Sequence, residues 1–227
     1  MESHSYHAAP RQEGTAMTSR RQRSVRAAFA FIGALAMGAC GSARYPAYYM
    51  LHFEPATQAS ASKAGMGTLA IRELRCPDYL CEGRIVYRPT PSEVAFYQYH
   101  RWAVSPRAMI AQHLAERVRA RSLFTSVSGE ESRVATDFVL IGTLERLEEV
   151  DEGRDVVAIC AISAQLVNAR TQVVVWNRMA TERVPVEQRD VAGVVNGMAT
   201  AVRASVDQLI AGMEVELGSG TAPRALR

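Results

Sequence analysis

The stretch of sequence that decides the fold runs from residue 155 to residue 184. It consists of DVVAICAISAQLV (155–167), NART (168–171) and QVVVWNRMATERV (172–184). Val and Ile favour strands, and a short polar turn between two such runs is typical of a β-hairpin. The segment before them, ATDFVLIGTLERL (135–147), alternates apolar and other residues around Phe138 and indicates another strand. The sequence therefore predicts consecutive strands in this part of the chain.

Two long segments carry helical patterns. Residues 105–121 begin Ser-Pro, a cap followed by proline at the first helical position, and then repeat apolar residues every four positions from Ile110 to Val118. Residues 190–214 begin at Asp190 as the cap and carry an apolar stripe with helical spacing. Both segments are predicted to be helices.

Shorter strand patterns complete the prediction. They are residues 48–53, 68–75, and the pair 84–88 and 93–103 around the turn PTPS. Strands grouped with strands, together with two long helices, predict an α+β fold. We expect a single domain in which a mixed or antiparallel sheet has both helices packed on one face.

The first 39 residues have the pattern of a secretory signal peptide. TSRRQRSVR (18–26) is basic, and AAFAFIGALAMGA (27–39) carries no charge. The apolar run is shorter than the roughly 20 residues that a transmembrane helix needs. Because Met17 lies just before the basic stretch, we expect translation to start there and residues 1–16 to carry no function.

The apolar run ends in MGAC (37–40), which resembles a bacterial lipobox. In that motif small residues precede a cysteine that receives diacylglycerol, although the methionine here departs from the preferred leucine. We expect lipid attachment at Cys40, and simple cleavage near Ala39 is the alternative. Neither of the next two residues is the Asp that retains enterobacterial lipoproteins in the inner membrane, so the resemblance implies the outer membrane, facing the periplasm.

The rest of the chain divides by composition. Residues 40–67 hold the expected lipidated N-terminus, a first short strand and a flexible connection rich in Ala, Ser and Gly. Residues 68–217 hold the predicted α+β domain, and residues 218–227 are expected to be a disordered tail.

The net charge of +3 belongs to the leader. Residues 1–39 contain five Arg and two acidic residues, so residues 40–227 contain 21 basic and 21 acidic residues. A neutral body argues against a nucleic-acid-binding protein, which needs a basic face.

The sequence contains none of the common catalytic motifs, such as G-x-S-x-G, H-E-x-x-H or a phosphate-binding glycine loop. We therefore predict no enzymatic activity, no cofactor and no metal site. His52, His100 and His113 have no metal-ligand partner at recognisable spacing; we expect packing for His100 and surface exposure for His113.

EEVDEGRD (148–155) is a run of acidic residues around Gly153. Its spacing does not match a calcium-binding helix-loop-helix. We expect a solvated hairpin tip; the acidic residues are Glu148, Glu149, Asp151, Glu152 and Asp155.

Cys76 and Cys81 frame the segment PDYL. Their spacing matches neither a redox C-x-x-C motif nor a zinc site. In an oxidising periplasm we expect a disulfide between them, and two free thiols are the alternative. Cys160 lies in an apolar strand and is expected to be a small buried residue.

FYQYHRW (96–102) is an unusually aromatic strand. Strict alternation places Phe96, Gln98, His100 and Trp102 on one face and Tyr97, Tyr99 and Arg101 on the other. Large rings on both faces indicate either core packing beneath helices or an interaction surface, where aromatic residues and Arg are enriched. The candidate partner surface consists of Tyr97, Tyr99, Arg101 and Trp102.

Several medium-length motifs occur in order along the chain: YYML (48–51), CPDYL and GRIVYR within 76–88, HRWA and SP within 100–106, VVVW (173–176) and the final helix from Asp190. Together with the lipobox, they resemble the ABC-type transport auxiliary lipoprotein family, the group that contains paraquat-inducible protein C. The resemblance covers the lipobox and nearly all of residues 45–216. The two cysteines around PDYL are a feature of this sequence rather than of the family.

The resemblance implies a non-enzymatic part of a lipid transport machine. Such lipoproteins accompany an ABC permease, an ATPase and a membrane-anchored protein with MCE domains, which move phospholipid-like molecules between the inner and outer membranes. The lipoprotein would be the outer-membrane docking end, and a homo-oligomeric ring is an arrangement that the resemblance allows. The alternative is a structural lipoprotein that assists outer-membrane or secretion-complex assembly; a periplasmic hydrolase is disfavoured because no nucleophile motif is found.

Overall fold

The computed structural model describes residues 44–56, 65–129 and 135–218. The predicted signal peptide, the expected lipid attachment site Cys40, residues 57–64 of the expected flexible connection and residues 219–227 of the predicted tail (218–227) lie outside the described residues. The elements below all belong to one compact unit, Tyr45–Arg227.

The described residues form eight strands and three helices. The strands are β1 (Ala47–Tyr49), β2 (Thr68–Ile71), β3 (Arg84–Thr90), β4 (Glu93–Trp102), β5 (Ser126–Gly129), β6 (Phe138–Glu152), β7 (Asp155–Asn168) and β8 (Val174–Pro185). The helices are α1 (Asp78–Cys81), α2 (Pro106–Ala120) and α3 (Val191–Gly218). The predicted α+β class is confirmed, and the sheet is mixed.

The sheet is organised around β6. On one edge β6 pairs with β7 along its whole length, and β7 pairs with β8, both antiparallel. The other edge of β6 is shared, because β2 pairs in parallel with Phe138–Leu140 and β3 pairs in parallel with Glu148–Val150. β5 extends β2, while β4 and then β1 extend β3. The sheet therefore forks along one edge of its longest strand.

The chain between β2 and β3 fills this fork. Arg75 bridges to Thr143, accepts a hydrogen bond from the Leu144 N–H at 2.8 Å and donates one to the Gly142 carbonyl at 2.9 Å. Leu74 is almost completely buried beside Gly142. Backbone pairing thus continues across the gap between the two short parallel strands.

α3 packs on the face of the sheet formed by β7 and β8. Its Gly197 lies against Ala158, and the Ser205 hydroxyl donates to the Cys160 carbonyl at 3.4 Å. The predicted cap is present, because the Asp190 carboxylate accepts a hydrogen bond from the Gly193 N–H at 2.7 Å. No helix in the described ranges combines the length and apolar character needed to cross a membrane.

α2 lies beside α3. Arg117 donates from Nε to the Asp207 carboxylate at 2.9 Å, which joins the two helices. The helix begins at Pro106 as expected, but Ser105 makes no side-chain capping bond; its carbonyl accepts the first helical N–H groups instead. Two helices on one face confirm the predicted arrangement.

His113 lies in the core, so its predicted surface position is wrong. The side chain is only 3% exposed, and its ring stacks on Phe53 with centroids 4.0 Å apart. Burial lowers the pKa of His113, and the nearby Arg117 adds to the effect. The cause is distant in sequence, because the segment that follows β1 leaves the sheet and covers this side of α2.

Several predicted boundaries also change. The strand expected at 48–53 is only Ala47–Tyr49, and the one expected at 68–75 ends at Ile71. β6 runs on through Glu152, five residues beyond its expected end. α1 and β5 were absent from the prediction because both are four residues long, too short for a periodic apolar pattern.

Gly142 provides a test of the packing at the fork. A Cβ atom there would lie 2.8 Å from the Leu74 Cδ2 atom and 2.8 Å from the Ser163 carbonyl oxygen. We expect Gly142→Ala to lower the free energy of unfolding by about 1–3 kcal/mol, because a backbone strand must shift to admit the methyl group. Urea unfolding measures the change.

Gly129→Ala is the matched control. Gly129 also lies in a strand, but its Cβ would have nothing within 4 Å. Equal stability of the two variants would contradict the proposed close packing at Gly142.

Candidate functional site

The acidic run is divided between the interior and the hairpin tip. Glu148 has no exposed surface and Glu149 is only 8% exposed, whereas Asp151 and Glu152 are exposed. The predicted solvated tip is therefore wrong for the first two carboxylates. They are buried because β6 extends past them and pairs with β3 and β7 at this level.

Glu148 is held by two guanidinium groups. Its carboxylate accepts hydrogen bonds from Arg88 Nε at 2.8 Å and from Arg146 Nε at 2.5 Å. Arg88 belongs to β3, so its ion pair with Glu148 reinforces the short parallel join between β3 and β6, whereas Arg146 lies on β6 itself, two residues from Glu148. A buried carboxylate needs such partners, because removing one of them leaves an uncompensated charge.

Glu149 points to the opposite face of β6 and is bound by β4. The Tyr97 hydroxyl donates to its carboxylate at 2.5 Å. Burial raises the pKa of Glu149; the hydrogen bond from Tyr97 acts in the opposite direction, and Asp151 adds to the rise. Burial, together with Glu149, also raises the pKa of Tyr97, which keeps the phenol protonated as a donor.

Tyr97 is part of a row of rings beside Glu149. Its ring centroid lies 5.0 Å from that of Tyr87 and 5.7 Å from that of His100. His100 in turn meets Tyr49 of β1, with Nδ1 3.1 Å from the tyrosine hydroxyl oxygen. The row connects the edge strand β1 to the buried carboxylate, and His100 packs as predicted.

The side chains of β4 do not alternate strictly. Arg84 pairs with Arg101 and Val86 pairs with Phe96, so two steps along β3 correspond to five along β4. This bulge places Phe96 and Arg101 on one face, and the Arg84 guanidinium lies 3.7 Å above the Phe96 ring. The predicted division of FYQYHRW into two alternating faces is therefore wrong.

The four residues of the candidate partner surface are consequently separated. Trp102 is in the core, with 7% of its surface exposed, so its place in an exposed surface is wrong. Tyr97 is partly buried against Glu149. Tyr99 is exposed and Arg101 is partly exposed, so these two remain available to a partner.

Cys76 and Cys81 lie at the two ends of the short segment that includes α1, next to the fork. Their Cα atoms are 6.0 Å apart and their sulfur atoms are within bonding distance. This separation suits a disulfide. Cys160 is completely buried, as expected, and burial raises the pKa of its thiol to about 12.

A groove of about 580 Å³ lies between α2 and β2. Its residues are Ile71, Glu73, Ala108, Ala111, Gln112, Ala115, Arg119 and Gly129. Alanines on α2 create the space, and a pair between Arg107 and Glu73 at 3.1 Å lies beside it. In the part of the chain that the structure describes, no cluster of His, Cys, Asp and Glu could hold a metal ion.

The architecture defines an α+β domain with two long helices on one face of a forked, mixed sheet. The chain belongs to the family of ABC-type transport auxiliary lipoprotein components, whose model matches residues 49–210. This confirms the family suggested by the sequence motifs. None of the curated proteins compared with the chain matches it.

Two solved structures share the fold. Protein XCC0632 from Xanthomonas campestris superposes with a TM-score of 0.66 at 21% identity, over 76% of this chain and 97% of that one. A protein described as uncharacterized superposes with a TM-score of 0.59 at 13% identity, over 74% of this chain and 99% of that one. At these identities the similarity establishes the fold alone.

The pair Cys76 and Cys81 stays a proposed disulfide, and thiol labelling tests it. We expect an alkylating reagent to label neither residue in the denatured, unreduced protein, and to label both after reduction. Peptide mass spectrometry reads the result. In a Cys76→Ser/Cys81→Ser control, reduction should expose no further thiol; labelling of both residues before reduction would reject the bridge.

Glu149 should make stability depend on pH in a defined direction. Because its pKa is raised on folding, its favourable contribution is complete below the unfolded pKa and is lost as the pH rises through the folded pKa. We expect Glu149→Gln to be more stable than the wild type at neutral pH, with the difference shrinking as the pH falls below about 4. Urea unfolding across pH measures it.

Asp137→Asn is the control with the opposite sign. The backbone N–H and the hydroxyl of Thr68 lower the pKa of Asp137, so its contribution is present above the unfolded pKa and is lost as the pH falls. We expect this variant to be less stable than the wild type at neutral pH. A Glu149→Gln protein that is destabilised at neutral pH would contradict the assigned cause.

Proposed function

We propose that the protein is an outer-membrane-anchored periplasmic lipoprotein and a non-enzymatic auxiliary component of an MCE-type ABC lipid transport system. It would act between the inner and outer membranes. The observation that carries the proposal is the family match over residues 49–210, because the family consists of lipoprotein components auxiliary to ABC transporters. The anchoring membrane, the MCE partner and the lipid cargo are our additions to that family assignment.

The proposed anchor is Cys40, at the end of a basic and then apolar leader. Each buried methylene contributes about 0.8 kcal/mol to membrane attachment, and one acyl chain alone binds only marginally. The two or three chains of a bacterial lipoprotein would hold the domain durably. In the proposed division of the chain, residues 40–67 lead to the domain at 68–217, which is followed by the tail at 218–227. β1, within residues 40–67, pairs with β4 and is therefore part of the same sheet as the domain.

The proposed protein partners are the MCE-domain protein and, through it, the ABC permease and ATPase. Tyr99 and Arg101 are the residues of the candidate partner surface that stay accessible. Tyrosine and arginine are enriched among residues that dominate binding energy at interfaces. A homo-oligomeric ring of this lipoprotein is part of the proposal, since several copies would offer several such surfaces to one partner.

The proposal is tested by lipid labelling and co-purification in the same cells. We expect the wild type to incorporate labelled palmitate, to fractionate with the outer membrane and to recover the MCE-domain protein. Cys40→Ser should lose the label and the membrane fraction. Tyr99→Ala/Arg101→Ala should keep both and reduce recovery of the MCE protein about tenfold, which corresponds to 1.4 kcal/mol of binding energy.

Met179→Ala is the matched control. Met179 is 58% exposed, but it lies on β8, at the opposite edge of the sheet from β1. It should recover the MCE protein as the wild type does. Unchanged recovery with the double variant would reject the proposed surface, and no recovery with the wild type would reject the transport role.

A further inference from the structure

Exposed apolar side chains gather at one edge of the sheet. Nine large apolar side chains are exposed among the described residues, and five of them lie in the two segments 45–50 and 99–104. We call these five the β1-edge patch; they are Tyr45, Tyr48, Met50, Tyr99 and Val104.

The two segments of the patch lie side by side. β1 pairs in parallel with β4, which places Tyr48 opposite Arg101. The Ala103 N–H continues the pairing by donating to the Tyr49 carbonyl at 2.8 Å. β1 has no strand on its other side in the described sheet, so the patch forms an outer edge.

The most exposed members are on the N-terminal segment. Tyr45 is 87% exposed, Tyr48 is 63% exposed and Met50 is 57% exposed. Tyr49, between them, packs against His100 and is only partly exposed. β1 therefore directs Tyr49 inward, and Tyr48 and Met50 on either side of it are exposed to solvent.

The chain length from the proposed anchor keeps this edge near a membrane. Tyr45 follows Cys40 by five residues, and five extended residues span at most about 18 Å. Strands are spaced about 4.8 Å apart, so β8, five strands away, lies roughly 24 Å from β1 across the sheet. The maximum length of the chain from Cys40 to Tyr45 is thus less than the distance between the β1 and β8 edges of the sheet.

The side chains suit the boundary between lipid and water. Tyrosine combines an apolar ring with a polar hydroxyl and is enriched at the headgroup level of membranes. Tyr45 and Tyr48 supply two such side chains, and Met50 adds exposed apolar surface beside them.

We propose that the three members of the β1-edge patch on the N-terminal segment, Tyr45, Tyr48 and Met50, rest on the headgroup region of the bilayer that holds Cys40 and contact lipid there. This inference rests on the proposed lipid anchor. It adds an orientation: the β1 edge faces the membrane, and the β8 edge faces away from it. A lipid anchor alone would leave the domain free to rotate, whereas contact at the patch restricts it.

Photocrosslinking in intact cells tests the orientation. The photocrosslinker p-benzoylphenylalanine replaces Tyr48 in one full-length variant and Met179 in the control. Both sites are more than half exposed, so neither replacement disturbs the core. After irradiation, mass spectrometry identifies the adducts, and palmitate incorporation is measured in the same samples. We expect phospholipid adducts from the site of Tyr48 and none from the site of Met179.

The outcomes separate this inference from the anchor. Palmitate labelling with no adduct, or with only a protein adduct, at the site of Tyr48 would overturn the membrane contact and leave the anchor intact. Equal lipid adducts at both sites would overturn the orientation. Absence of both palmitate and lipid adducts would reject the anchor and the contact together.

Discussion

The shared edge of β6 is the constraint on which the rest of the structure depends. β7 pairs with one edge of this 15-residue strand from end to end, with a register shift at Glu145, but β2 and β3 each pair with only three residues of the other edge. The unpaired stretch between them would leave buried backbone groups without partners. Arg75 supplies two of those hydrogen bonds, to Gly142 and Leu144, Leu74 fills the space, and the segment with Cys76 and Cys81 leads on to β3.

The fork also explains why charged side chains lie inside the sheet. Parallel pairing between β3 and β6 is short, and Glu148 strengthens it through Arg88 of β3, while Arg146 of β6 adds a second positive charge beside the buried carboxylate. On the other face, Glu149 binds Tyr97 and so connects β6 to β4. These contacts hold the β3–β4–β1 arm of the sheet against the core. The position of the β1-edge patch follows from them.

The family assignment, the proposed lipid anchor and the β1-edge patch are consistent with one another. The chain belongs to the ABC-type transport auxiliary lipoprotein components, and the proposed anchor precedes the first strand by only a few residues. In our proposal Tyr45, Tyr48 and Met50 at the β1 edge contact the membrane. Tyr99 and Arg101 on the neighbouring strand β4 contact the protein partner. The groove beside α2 is a separate feature, to which we assign no ligand.

The sequence by itself determined the β7–β8 hairpin, both long helices, the α+β class and the family, because these follow from apolar periodicity and local motifs. It also located Cys160 in the core. Only the tertiary structure decided that Glu148, Glu149 and His113 are buried, that β4 bulges, and that Trp102 leaves the partner surface. Their partners lie far along the chain, such as Tyr97, 52 residues from Glu149, and local patterns carry no information about such contacts.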